Sequence, residues 1–203
     1  MAETYSRQIA GQTISCTADP VLGPQVEAFF DVIQAAPAEL IVDGFVLRAG
    51  WSAFKLVADA ETLVVHCPDF AGDLHDWVSN VTLALAVEAE QSAVSRLAGL
   101  KSAAPAVFTQ KVVCAEGVLE SHALVAHHTT PTDKRDSGWF LGFPGEEPDE
   151  RTLTVVSVGQ LVRSRAALLK VFALPEGYLA AFDGDEIEVI LGADDEPVYE
   201  RAE

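Results

Sequence analysis

The amino-acid sequence predicts an α+β protein of two closely packed modules, each of mostly antiparallel sheet with flanking helices. Three observations predict it. Short runs of β-branched and aromatic residues recur along the chain between Gly, Pro and Asp turn signals. Three longer segments carry apolar residues at helical spacing. A small, proline-bearing segment, KSAAPA at 101–106, separates two sets of such elements. The domains expected are therefore an N-terminal α+β module over 1–103, a second α+β domain over 107–195, and a polar tail over 196–203.

Residues 4–18 read as two strands around a Gly11-Gln12 turn. A helix follows from about 24 to 36. Val26, Phe29, Phe30 and Ile33 fall at i, i+3, i+4 and i+7, Pro24 suits a first turn and Pro37 ends it. Residues 44–67 divide at Gly50 and at 58–61 into two or three antiparallel strands. A second helix starts at Ser79 or Asn80 as N-cap and stops near Gly99, with Leu83, Val87, Val94 and Leu97 on one face. Beyond 106, VFTQKVVC, SHALVAHH, GWFLGF and RTLTVVSV read as strands. GQLVRSRAALLKVF reads as a helix, and YLAAFDGDEIEVI as a hairpin turning at Asp183-Gly184. The tail GADDEPVYERAE is expected to fray.

The chain carries 13 basic and 31 acidic residues, a net charge of −18, with an excess of nine acids in each half. No basic patch survives that balance, so nucleic acid and anionic membrane are excluded as partners, while a basic protein is compatible. Cys16, Cys67 and Cys114 are an odd number without close spacing, which suits a reducing compartment. The first residues have no signal-peptide pattern, and no apolar run approaches a membrane span. A cytoplasmic location is expected.

Candidate chemistry is sparse. There is no GxSxG, no cysteine beside a His–Asp pair and no glycine-rich phosphate loop, so no cofactor and no catalytic residue is predicted. His66, Asp69, Asp73 and His75 lie within ten residues and are all metal-ligand types. Their spacing fits no common zinc pattern, so a structural loop stands beside a metal-dependent hydrolase as its reading. His127 and His128 are adjacent on a strand and point to opposite faces, which keeps them, with His122, from converging on one ion. Glu90 and Arg165 each fall within an apolar helix stripe, where a charge needs a partner; an interface between the modules would supply one. In DKRDSGWFLGFPGEE (133–147), Trp139 enters a strand through a Ser-Gly turn. The same stretch can be read as a core strand or as an apolar surface with an acidic rim.

Four ordered pieces of the second half resemble a known family. They are VVCAEGVLE (112–120), LVAHHTTP (124–131), DSGW (136–139) followed by GEE (145–147), and VVSVGQLV (155–162) with ALPEGYLAAFDG (173–184). Over about residues 110–183 the chain resembles the Imm33-like immunity proteins, a DUF2185-type domain. The resemblance implies a non-enzymatic protein-binding module that neutralises a toxin domain. If a surface does the work, the residues expected to carry it are Asp136, Glu146 and Glu147 as charged rim and Phe143 as apolar contact, with Ser137, Gly138 and Trp139 holding the loop. A structural module of a larger assembly is the other non-enzymatic reading.

Overall fold

Two short strands on either side of the Gly11 turn form a hairpin of β1 (Glu3–Ile9) and β2 (Gln12–Ala18). The structure, a computed structural model, describes residues 1–101, 104–146 and 152–202. After the hairpin come α1 (Gly23–Gln34), β3 (Val46–Ala49), β4 (Ser52–Asp59), β5 (Thr62–Pro68), the two-residue β6 (Trp77–Val78) and α2 (Thr82–Leu97). The first sheet runs β1-β2-β5-β4-β3, with β6 beside β5. Its β2–β5 pair is parallel and the remaining pairs are antiparallel. The expected stripe of α1, Val26, Phe29, Phe30 and Ile33, is the buried one. Phe29 meets Phe54 of β4 with ring centroids 4.3 Å apart. Trp51, fully buried, stacks on Phe70 and donates from Nε1 to the Ala84 carbonyl at 2.9 Å.

The second sheet is built from β7 (Lys111–Ala115), β8 (Ala123–His128), β9 (Asp136–Gly142), β10 (Leu153–Ser157), β11 (Leu179–Asp183), β12 (Glu186–Leu191) and β13 (Pro197–Glu200). Their order is β10-β7-β9-β8-β11-β12-β13, and β7–β9 is the parallel pair. Helix α3 (Val158–Arg165) starts in a capping box: Gln160 N donates to Ser157 Oγ at 3.2 Å and Ser157 N to Gln160 Oε1 at 2.7 Å. The expected helix to Phe172 instead tightens into a 3-10 segment over Ala166–Val171. The change falls at Arg165, whose backbone is extended, with φ −162° and ψ 76°. Both sheets with their flanking helices give the α+β class that the sequence predicts.

By their contacts, the residues divide into one unit over Met1–Ala89 and another over Glu90–Glu203, so the division falls inside α2, ahead of 101–106. Three expectations are corrected. On α2, Leu83 and Leu97 are exposed, and the buried positions are Ala84, Leu85, Val87, Gln91, Val94 and Ser95, with Ala98 buried just past its end. Val87 and Val94 of the expected stripe are buried, but they share the packed face with Leu85 and with small and polar residues instead of Leu83 and Leu97. Buried Gln91 is satisfied by donating to the Leu169 carbonyl at 3.0 Å. Second, Glu90 is exposed, so it carries no buried charge that needs a partner. The acid on the packed side is Glu88, half-buried over Gly50, and burial raises its pKa. Third, part of the tail is ordered. Gly192 N donates to the Glu196 carbonyl, which closes a turn, and β13 pairs with β12 through Ile190 and Tyr199. No helix among the described residues is long and apolar enough to cross a membrane.

Candidate functional site

The Asp-Ser-Gly-Trp motif begins β9, and each of its residues has a separate local task. Asp136 accepts from Thr132 N at 2.7 Å, Thr132 Oγ1 at 2.9 Å and Gly138 N at 2.8 Å. Partial burial opposes its ionisation, but these hydrogen bonds outweigh it and hold the carboxyl below its usual range. Ser137 Oγ donates to the Lys111 carbonyl at 2.6 Å and accepts from Trp139 N at 3.2 Å, tying β9 to the start of β7. Gly138 adopts φ +76°, and a Cβ there would lie 2.3 Å from the Thr129 carbonyl oxygen. Trp139 is 1% exposed and stacks between His128 and Phe172, at 4.7 Å centroid distance to each. The motif is a scaffold, with Trp139 in the core of the second unit.

His128 is the member of this cluster that sequence reasoning missed. Its Nδ1 lies 2.8 Å from the Leu174 carbonyl and its Nε2 3.1 Å from the Ser137 carbonyl. The imidazole thus lies between β9 and the segment after the 3-10 helix, donating its one N–H to one of these two carbonyls, while its ring covers Trp139. The only sequence signal was its place two residues ahead of the Thr-Pro turn on a strand, which does not distinguish it from His127.

The acidic rim does not assemble as expected. Asp136 opens β9, whereas Phe143 and Glu146 follow its other end, roughly 20 Å away at the rise of an extended strand. Phe143 is half-buried and Glu146 exposed, and Glu147 lies outside the described residues. The end of the sheet that holds Phe143 and Glu146 also gathers the end of β7, the start of β8 and the β11–β12 turn. Glu116, Glu120, Asp185 and Glu186 are exposed there.

Arg165 organises part of this end. Its side chain is only 9% exposed. Its guanidinium donates to the carbonyls of Leu119 at 3.5 Å, Ser121 at 2.5 Å and Gly184, and Nε donates to Asp185 Oδ1 at 3.1 Å. The charge read from sequence as a mark of an interface between modules is therefore satisfied inside the second unit. Its misplacement in an apolar stripe was a real signal, but of a tether between loops. Beside it, Asp183 receives Arg201 Nη2 at 2.9 Å and His122 Nδ1 at 2.9 Å. The hydrogen bond from Arg201, helped by His122, keeps Asp183 below the usual carboxylate range. A cleft of about 600 Å³ opens over Arg165, lined among others by Leu119, Glu120, His122, Ser164 and Asp185.

The His66–His75 segment forms no metal centre. Asp69 Oδ1 accepts from the amides of Ala71 and Gly72, and Asp73 Oδ1 from that of His75, so both carboxylates shape their own turns. Among the described residues, no three His, Cys, Asp or Glu side chains are grouped to hold a metal ion. The hydrolase reading loses its ligand set. The three cysteines are free and buried.

The family model of the Imm33-like domain matches residues 90–193. The chain belongs to the Imm33-like family. The Imm33-like match starts within α2, at the residue where the second unit begins, and runs through β7–β12 and α3. It therefore takes in the Asp136–Trp139 scaffold, the Arg165 tether and the cleft. The Imm33-like chain has no match among the curated proteins or the solved structures.

Proposed function

We propose that this chain is a non-enzymatic, protein-binding immunity protein that neutralises a toxin domain in the cytoplasm. The observation that carries the reading is the Imm33-like match over 90–193, since the family's name points to immunity. The architecture supports it. Neutralisation by binding needs a preformed surface rather than a reactive group. The stack of Trp139 between His128 and Phe172, with the Asp136 and Ser137 hydrogen bonds, fixes β9, the strand that leads to the loop carrying Phe143 and Glu146. Phe143 and Glu146 on that loop, with Glu147 beyond them, are the proposed contacts, and Asp136 serves the scaffold at the other end. The charge of −18 favours a basic toxin by accelerating encounter.

The test is protection. Co-expression with a toxin domain, sought first in the adjacent reading frame, is expected to restore growth, and the purified pair is expected to form a complex whose association slows with added salt. Growth arrest despite abundant folded protein, with no complex formed by the purified pair, would refute the proposal.

A further inference from the structure

We infer that the outward face of the second sheet is a self-association surface, and that its occupant is a second copy of this chain. The inference is independent of the immunity reading above.

The first argument is the pattern of burial along the strands. Fully buried positions of the second sheet alternate with half-buried ones. Val112, Cys114, Leu124, Ala126, Leu141 and Ala180 point to the inner face, which Phe172 covers through its stack on Trp139. The residues between them point outward. A sheet face left to water ordinarily carries polar side chains. This one does not. A row of directly paired residues crosses the sheet through Val155, Val113, Phe140, His127, Leu179 and Leu191 and ends at Pro197, one from each strand. It holds no carboxylate, lysine or arginine. Val155, on the edge strand β10, is 57% exposed, and Phe140, Leu179 and Leu191 are half-buried. Val125, Ala181 and Val189 make a second apolar row beside it. The first sheet supplies the contrast. Its face opposite the buried Ile14, Phe54 and Val65 carries Ser6, Gln8, Thr13, Thr62, Lys55 and His66 alongside Val57 and Val64. One sheet of this chain has an outward face suited to water, and the other has a face suited to burial.

The second argument is size and symmetry. The sheet has seven strands, and at a spacing of about 4.8 Å the outer two lie about 29 Å apart. Strands of five to seven residues extend about 17–20 Å, so each chain offers about 500 Å² of face in projection. Two such faces bury about 1,000 Å² together, the lower bound for a specific interface and the size of a weak, reversible dimer. The rows carry no charge that would select a charged partner, so the acidic excess that favours a basic toxin has no counterpart on them. β8 is the middle strand, and a two-fold axis through it lays the row of one chain on that of its copy over the whole width, as aligned sheets pack about 10 Å apart. Acids outside the rows, exposed at Glu188 and Glu200, repel their copies across the rim. Salt screens such repulsion, so added salt strengthens this contact, the opposite of its effect on capture of a basic toxin.

The experiment follows the mass of the full chain, purified alone, by sedimentation across roughly 1–200 µM at low and high salt. Twice the mass of one chain is expected at the upper end, with dissociation on dilution and tighter association at high salt. The Val113→Lys/Leu179→Lys double variant lowers the net negative charge, so general repulsion cannot explain a weakened dimer. It is expected to keep its far-UV circular dichroism and to associate at least about a hundredfold more weakly, because the lysines would be buried unpaired. Val64→Lys, on the outward face of the first sheet, is expected to associate as the wild type does. Hydroxyl-radical footprinting of the wild type requires no variant, and Phe140, Leu179 and Leu191 are expected to be oxidised more slowly in the dimer than after dilution. A monomer at every concentration, a folded double variant that associates like the wild type, or shielding confined to other residues overturns the inference. A monomer in which these residues are shielded only by a toxin domain assigns the face to that partner and overturns it equally. A dimer that protects no cell from the toxin leaves this inference standing and overturns the immunity reading alone.

Discussion

Replacing Gly138 with alanine should destabilise the second unit by about 2–5 kcal/mol, and the structure separates the two origins of that cost. The left-handed backbone at φ +76° is one, worth about 1–2 kcal/mol for a residue with a Cβ. The other is space: the new Cβ would sit 2.3 Å from the Thr129 carbonyl oxygen and 3.0 Å from His128 Cδ2. Neither neighbour can yield freely. The amide and hydroxyl of Thr129 both donate to the Gly138 carbonyl, at 2.7 and 2.9 Å, and His128 is confined between the Leu174 and Ser137 carbonyls and the Trp139 ring. Forcing them apart should cost about 1–3 kcal/mol more, as overpacking does elsewhere. Gly117 supplies the control. It lies in the same unit at φ +78° with nothing within 4 Å of a Cβ, so Gly117→Ala carries the backbone term alone. Native-state hydrogen exchange at the Leu141 and Phe182 amides, with urea unfolding followed by far-UV circular dichroism, measures both. Equal losses for the two alanine variants would refute the claim that the Gly138 site is sterically closed.

Further expectations concern charge and reactivity. Burial raises the pKa of Glu88, so its charged form destabilises the fold; this cost is absent below the ordinary glutamate range and grows as pH rises through the raised value. Glu88→Gln should therefore increase the melting temperature at pH 7 and leave it unchanged at pH 3.5, and an equal shift at both would contradict the burial argument. Asp136→Ala removes the acceptor of two amides and a hydroxyl and should cost about 1 kcal/mol. The contribution of Asp136 is complete above the ordinary aspartate range and is lost as pH falls through its lowered value, so the wild type and the variant should converge in acid. Burial pushes the Cys16 and Cys67 thiols up to about 12 and Cys114 up to about 11. No thiol should be labelled in the folded chain at pH 8 and all three should be in urea, as mass spectrometry would show; rapid native labelling would contradict their placement.

The fold was legible where one local signal sufficed. Val26, Phe29, Phe30 and Ile33 name the buried face of α1 because large side chains at helical spacing have one way to leave water. The turns at Gly11 and Asp183-Gly184 were equally plain, since few residues tolerate their backbone. On α2 the expected stripe was half right: Val87 and Val94 are buried, but Leu83 and Leu97 are not, because Ala84, Gln91 and Ser95 take part of the packed face and the burial of small or polar residues depends on what they face. β13 escaped notice because its residues gain order only from the free edge of β12. The motif at 136–139 could be recognised, yet its chemistry could not. That Asp136 is saturated by its own loop depends on where Thr132 and Gly138 stand.

By itself the sequence determined the α+β class, the acidic character and the family resemblance, because composition, periodicity and ordered motifs are properties of the chain. The tertiary structure alone decided that Asp136 and Glu146 lie at opposite ends of one strand, that His128 joins the Trp139 stack, and that Arg165 secures two turns. The reason is physical. A hydrogen bond or a burial energy belongs to neighbours in space, and sheet pairing selects those neighbours from positions tens of residues apart.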